Sequence, residues 1–189
     1  QYMLFFTQKG KCFWMRVYEI PEGSKTAKGR AIQNLINIEQ DDKVKAFINT
    51  QDLKDEDYIN SHYVIMATKK GQVKKTLLEQ YSRPRANGIN AITVKDEDEL
   101  LEAKLTTGNS QILLAVKSGK AIRFEEDKTR TMGRNASGVR GITLGGPNDE
   151  VIGMVAVSDS ETEILVVSEN GYGKRSSLED YRITNRGGK

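Results

Sequence analysis

The sequence predicts an all-β protein: a propeller-like array of four-stranded blades, with about four repeats in 189 residues. Three observations predict it. A glycine-centred hairpin pattern recurs four times, a second glycine-bearing element follows each hairpin, and almost no stretch carries helical periodicity.

The hairpins read YMLFFTQKGKCFWMRVYEI from Tyr2, YVIMATKKGQVKKTLLEQY from Tyr63, ILLAVKSGKAIRFEEDKTR from Ile112 and EILVVSENGYGKRSSLEDY from Glu163. Each places an apolar run before a polar turn containing Gly10, Gly71, Gly119 or Gly171, and a basic run after it. β-branched and aromatic runs flanking a turn where Gly supplies positive φ are hairpin signals. The turn glycines recur after 61, 48 and 52 residues. A period near fifty with four short strands fits a propeller blade.

The second element reads SKTAKGRAIQNLI, SRPRANGINAITV, MGRNASGVRGITL and RITNRGGK. Its glycines, Gly29, Gly88, Gly138 and Gly187 or Gly188, trail the turn glycines by 19, 17, 19 and 16 or 17 residues. Strands are expected after it at Ile89 to Val94 and Val139 to Leu144. Others are expected before the next hairpin at Val44 to Ile48, Leu100 to Leu105 and Val151 to Val157. Leu77 to Tyr81 and Ser176 to Tyr181 read as single turns, and the polar segment Asp52 to Asn60 as a longer connection. The expected organisation is one domain over 1–189, with repeats at about 1–60, 61–110, 111–160 and 161–189, the last stopping mid-blade. The start at Gln1, without Met and directly before an apolar run, points to a piece of a longer chain.

Net charge is only +3, but the signs are segregated. Residues 8–30, 63–90, 115–142 and 168–189 hold 24 basic and 9 acidic residues, leaving 5 basic and 17 acidic elsewhere. The acids gather at Asp52 to Asp57, Asp96 to Glu102 and Asp149 to Glu163. Blades arranged radially would bring the basic windows to one rim, a shape suited to a phosphate backbone. Four residues past the turn glycines stand Trp14, Lys75, Arg123 and Arg175, with Lys74, Lys120 and Lys174 nearby. Near the second glycines stand Lys25, Lys28 and Arg30, then Arg83 and Arg85, Arg134 and Arg140, and Arg182 and Arg186. These are the candidate DNA-binding residues.

Other chemistry finds little support. No apolar run approaches the ~20 residues of a membrane helix. One cysteine, Cys12, excludes an internal disulfide and fits a reducing compartment. Within its strand it reads as a buried small hydrophobe. The single His62, at a strand start, makes no metal cluster with it, and no phosphate loop or nucleophile–base constellation is visible. Two readings of other classes remain beside the DNA-binding one. A protein-binding propeller would expose apolar patches on a blade face, and an enzyme would gather polar groups in a central channel.

The segments YVIMATKKGQVKKTLLEQYSRPRANGINAI, GKAIRFEEDKTRTMGRNASGVRGITL and ILVVSENGYGKRSSLEDYR resemble the C-terminal domain of the bacterial DNA gyrase A subunit, across Tyr2 to Lys189. The A subunit of topoisomerase IV is the nearest alternative. The resemblance implies a β-pinwheel, in which neighbouring blades exchange strands. It implies a non-catalytic module that wraps duplex DNA on its basic rim. In an A2B2 holoenzyme with gyrase B, such a module supports ATP-dependent negative supercoiling. ATP, Mg and the cleaving tyrosine would belong to parts outside this chain, leaving it no cofactor, metal or membrane partner of its own. A bacterial cytoplasmic, nucleoid-associated location is implied as well. The family's Gln-Arg-Arg-Gly-Gly-Lys-Gly box is not found in the first blade, whereas Asn185-Arg186-Gly187-Gly188-Lys189 resembles most of it.

Overall fold

Each apolar run closes with its basic partner into an antiparallel hairpin. These are β1 (Tyr2–Thr7) with β2 (Lys11–Arg16), and β4 (Tyr63–Thr68) with β5 (Gln72–Leu77). In a computed structural model that describes residues 1–158 and 163–189, two more follow. They are β8 (Gln111–Val116) with β9 (Ala121–Glu125), and β12 (Glu163–Val167) with β13 (Gly173–Ser177). All four turn glycines have φ between +83° and +87°. A third strand flanks each of the first three hairpins: β3 (Val44–Thr50) on β1, β7 (Leu100–Thr106) on β4 and β11 (Val151–Val157) on β8.

The fourth strand comes from the following repeat. β6 (Ile89–Asn90) adds to β2, and β10 (Val139–Arg140) adds to β5, giving sheet orders β3-β1-β2-β6 and β10-β5-β4-β7. The chain therefore exchanges strands between blades, as the resemblance implied. The exchanged strands are shorter than expected, two residues each. After two ladder pairs the backbone turns to aim successive amides at one carbonyl. Gly10 O accepts from Ala91 N and Ile92 N at 2.8 and 3.1 Å, and Gly71 O accepts from Gly141 N and Ile142 N at 2.7 and 3.4 Å. This approach is a second reason for glycine: a Cβ at Gly71 would stand 2.9 Å from Ile142 O.

Both faces of the second and third blades are apolar because each lies between neighbours. Leu4, Phe6 and Cys12 pack with Val64 and Met66 of the next blade. Ile65, Ala67 and Val73 meet Ile112, Leu114 and Val116, while Leu113 and Val157 meet Ile164 and Leu178. The outer face of the first blade, Phe5, Phe13 and Met15, is covered by Ile36 and Ile38 of its own repeat.

The acidic turns have a structural member that sequence reading misses. Asp42 Oδ1 accepts from Lys9 N at 3.1 Å, Asp98 Oδ1 from Lys70 N at 2.9 Å, and Asp149 Oδ1 from Ser118 N at 2.9 Å. Each carboxylate ties the strand leading into a blade to that blade's hairpin turn. Asp159 and Glu161 of the third acidic stretch lie outside the described residues. The connection Asp52 to Asn60 holds one helical turn that sequence reading also misses, α1 (Glu56–Ser61). Asp55 caps it by accepting from Asp57 N and Tyr58 N, and Ile59 is buried beneath it. His62 ends that helix with Nδ1 2.8 Å from Tyr58 O.

Candidate nucleic-acid interface

In the first three blades the position four residues past the turn glycine does not lie on a rim. In the first two blades its pleat partner two residues earlier is the buried Cys12 or Val73, so there it faces the neighbouring blade. Trp14 Nε1 donates to Tyr81 O at 2.8 Å. Lys75 is buried, its Nζ 3.5 Å from Glu126 Oε1 and 4.5 Å from the centre of the Tyr63 ring. Glu126 is fully buried and also accepts from Thr106 Oγ1 at 2.6 Å and Ser110 N at 3.0 Å. Arg123, also buried, donates from Nη1 to Leu178 O and Tyr181 O at 2.8 and 2.9 Å. Three different side chains thus make one latch, each gripping the short 3-10 turn after the next hairpin.

Lys74 is fully buried as well, donating to Ala91 O at 2.5 Å and Arg134 O at 2.6 Å. Burial, with the like charge of Arg134, lowers its ammonium to about 7. Lys74, Lys75 and Arg123 are therefore corrected from candidate phosphate contacts to interior braces. The sequence does carry a signal of this: the first blade has Trp14 at the latch position, a residue suited to burial.

The remaining candidates lie in the loops, except Arg140 on β10 and Lys174 and Arg175 on β13. Lys25, Lys28, Arg30, Arg83, Arg85, Lys120, Arg140, Lys174, Arg175 and Arg182 are exposed, and Arg134 and Arg186 are half-buried. Cations of consecutive repeats meet there. Arg83, Arg85 and Arg134 line one concavity of about 200 Å³ together with Glu79. Arg134 Nη1 donates to Asn90 O at 3.3 Å, and Arg186 Nη1 donates in the same way to Arg140 O at 2.5 Å. Arg186 Nε also donates to Lys128 O at 3.0 Å. A guanidinium anchored to carbonyls keeps its full charge.

This register also moves the last glycine assignment. Thr93 Oγ1 donates to Asn135 O and Thr143 Oγ1 to Gly187 O, both at 2.8 Å, so Gly187 corresponds to Asn135 and not to Gly138.

Charge pairing separates several lysines at the acidic turns from the cations of the second elements. Beside the acidic turns, Lys9 meets Glu39 and Asp41 at 2.9 and 2.7 Å, and Lys69 meets Glu99 at 2.5 Å. That hydrogen bond from Lys69 holds the Glu99 carboxyl below its ordinary range. In the second elements, Lys25, Lys28, Arg30, Arg83, Arg85, Arg134, Arg140, Arg182 and Arg186 have no carboxylate within 4.0 Å among the described residues. Arg175 differs, with Nε 3.2 Å from Glu163.

A family profile described as "DNA gyrase C-terminal domain, beta-propeller" matches residues 1–51, 62–107, 111–158 and 162–189. The chain belongs to this family. The DNA gyrase A subunit of Staphylococcus epidermidis is 46% identical over 189 residues, which are 100% of this chain and 21% of that protein. The chain thus spans about a fifth of the length of the curated relatives it matches. Among solved structures, the C-terminal domain of a DNA topoisomerase IV superposes with a TM-score of 0.86 at 26% identity, covering 100% of this chain and 57% of that one. A DNA gyrase A C-terminal domain gives 0.81 at 24% identity, covering 99% and 58%. As a gyrase A C-terminal pinwheel, the chain has blades whose order is set by strand exchange and latches. Its second elements carry nine cations with no carboxylate within 4.0 Å among the described residues.

Proposed function

We propose that this domain binds duplex DNA along its unpaired second-element cations and bends it, supporting negative supercoiling by a longer gyrase A subunit. In this reading gyrase B, ATP and Mg act through other parts of the bacterial cytoplasmic holoenzyme. The chain itself contributes no catalytic group. The observation that carries it is the cluster of nine second-element cations with no carboxylate within 4.0 Å among the described residues, in contrast to Lys9, Lys11, Lys45 and Lys69, which are paired at the acidic turns. Uncompensated Lys and Arg gain from counterion release on phosphates, with little reading of bases. Bending a site costs on the order of 1–6 kcal/mol, so phosphate contacts must be spread over several blades to offset it. Lys25, Lys28, Arg30, Arg83, Arg85, Arg134, Arg140, Arg182 and Arg186 supply that spread, with Lys120, Lys174 and Arg175 beside the turns. The 46% identity to a gyrase A subunit favours supercoiling over the topoisomerase IV alternative.

The test is binding to a duplex of about 40 bp across a salt series, beside an Arg83→Gln/Arg85→Gln/Arg140→Gln/Arg182→Gln variant. Removing one neutralised phosphate lowers the log–log salt slope by about 0.9. A variant that keeps the parent's slope would overturn the rim. A full-length parent that relaxes and decatenates DNA without supercoiling it would return the chain to the topoisomerase IV reading.

A further inference from the structure

Two buried lysines stand side by side on β5, and only one has a counter-ion. Lys75 meets Glu126, whereas no carboxylate lies within 4.0 Å of Lys74 among the described residues. Two carbonyls hold Lys74 instead, Ala91 O and Arg134 O, which belong to the second elements of consecutive repeats. Those elements are also tied to each other directly. Arg134 Nη1 reaches Asn90 O, Asn90 Nδ2 donates to Asn135 Oδ1 at 3.1 Å, and Thr93 N donates to Ala136 O at 3.2 Å. Arg134 links inside to outside: its carbonyl accepts from Lys74, and the residue lines the concavity shared with Arg83 and Arg85.

A buried charge is ordinarily paired. The neighbouring charge that acts on Lys74 is the like charge of Arg134. Glu79, which also lines the concavity, is engaged by Gln80 Nε2 at 2.9 Å. The joint is thus rich in cations and short of an anion. Three arginines around about 200 Å³ suit the oxygens of a phosphate, which guanidinium groups bind by charge-assisted hydrogen bonds.

We propose that one backbone phosphate, seated among Arg83, Arg85 and Arg134, is the counter-charge of Lys74, so that DNA binding at this joint takes up a proton at Lys74 Nζ. This coupling rests on the DNA-binding role proposed above and gives that role a dependence on pH. In the free domain, burial and Arg134 hold the ammonium at about 7. A unit negative charge at ~10 Å, with an effective dielectric of about 20, changes a protonation equilibrium roughly tenfold. The phosphate favours the charged form, so the bound domain keeps its proton to higher pH than the free one. Affinity is greatest where both forms are protonated and falls as pH rises through the interval between the free and bound values.

The other groups packed around Lys74 do not share that interval. Burial raises both the Cys12 thiol on β2 and the Tyr81 phenol, whose Oη donates to Ala91 O beside Lys74. The helix α1 also packs on β5, with its carboxylates Glu56 and Asp57 exposed and Ile59 turned inward. Lys75 and Glu126 lie on the opposite face of β5. The third blade supplies an internal comparison. Arg186 is anchored on Arg140 O as Arg134 is on Asn90 O, but the buried Ile122 stands at the place of Lys74. The anchor itself needs no ammonium, and an apolar side chain is accommodated there.

Calorimetric titration of the 189-residue chain with a duplex of about 40 bp tests the coupling. Buffers of different ionisation enthalpy, compared near pH ~8, count the protons taken up. The parent takes up a fraction of one proton, and its Kd rises by up to about tenfold from pH ~6 to ~9. Lys74→Met removes both effects. Arg83→Gln/Arg85→Gln, two changes of exposed side chains, removes the uptake with Lys74 in place, while the other cations still bind. Salt-dependent DNA binding with the same proton uptake in the parent and in either variant overturns the coupling and leaves the DNA-binding role standing. Should Lys74→Met fail to fold, the arginine variant decides alone. Absent or salt-independent binding by the parent overturns both.

Discussion

Lys74 carries a pH dependence whose sign follows from its surroundings. Its folded pKa of about 7 lies below its ordinary 10.5. Between these values the unfolded chain binds more protons than the folded one, so this group makes stability rise with pH. Below about 7 both states hold the proton and its cost is complete. Denaturation midpoints measured from neutral to alkaline pH should rise less in Lys74→Met than in the parent. An unchanged slope would remove the assignment. At Lys75 the charge is paired with Glu126, and removing one partner strands the other. Glu126→Leu should cost about 3–5 kcal/mol, and Lys75→Met/Glu126→Leu should recover most of it, because an apolar pair can replace a buried ionic one. Thermal or urea unfolding of the two variants checks this, and equal losses in both would show that the pair is not coupled.

Single elements show where sequence patterns speak and where they fall silent. The hairpins are legible because glycine at a fixed place in an apolar–basic frame has few other structural uses. The helical turn at Glu56–Ser61 is hidden by its polar composition, with Ile59 its one buried residue. The exchanged strands read as long because apolar residues such as Ile92 and Ile142 are buried by docking on a glycine carbonyl, outside any ladder. The latch residues escape the sequence because equal spacing from a turn does not mean equal exposure: the pleat decides which face a side chain takes. Basic character alone cannot separate Lys75 from Arg85, whereas their surroundings do, a buried carboxylate for one and open solvent for the other. Gly71→Ala should destabilise by about 1–3 kcal/mol, since it combines a strained positive φ with the approach of Ile142 O. A smaller change in the unfolding midpoint would show that the approach is easily relaxed.

Over the whole molecule, the cations proposed to bind DNA are a different set from those that brace the blades. The Arg83→Gln/Arg85→Gln/Arg140→Gln/Arg182→Gln variant should keep the parent's unfolding midpoint while losing salt-sensitive DNA affinity. Arg123→Met should do the reverse, loosening the third and fourth blades while leaving the salt slope of the folded fraction intact. Measuring melting and duplex binding on both variants separates the two roles. Loss of affinity without loss of stability in Arg123→Met would place that guanidinium back among the phosphate-binding groups.

Strand exchange also sets a timetable for synthesis. The first blade has its three long strands once Thr50 has been made, but β6 ends at Asn90. At about 5–20 residues per second, β2 waits on the order of 2–8 s with an open edge. The second blade waits in the same way for Arg140. The newest blade on the ribosome is always the unfinished one, and each repeat as it emerges closes the blade before it.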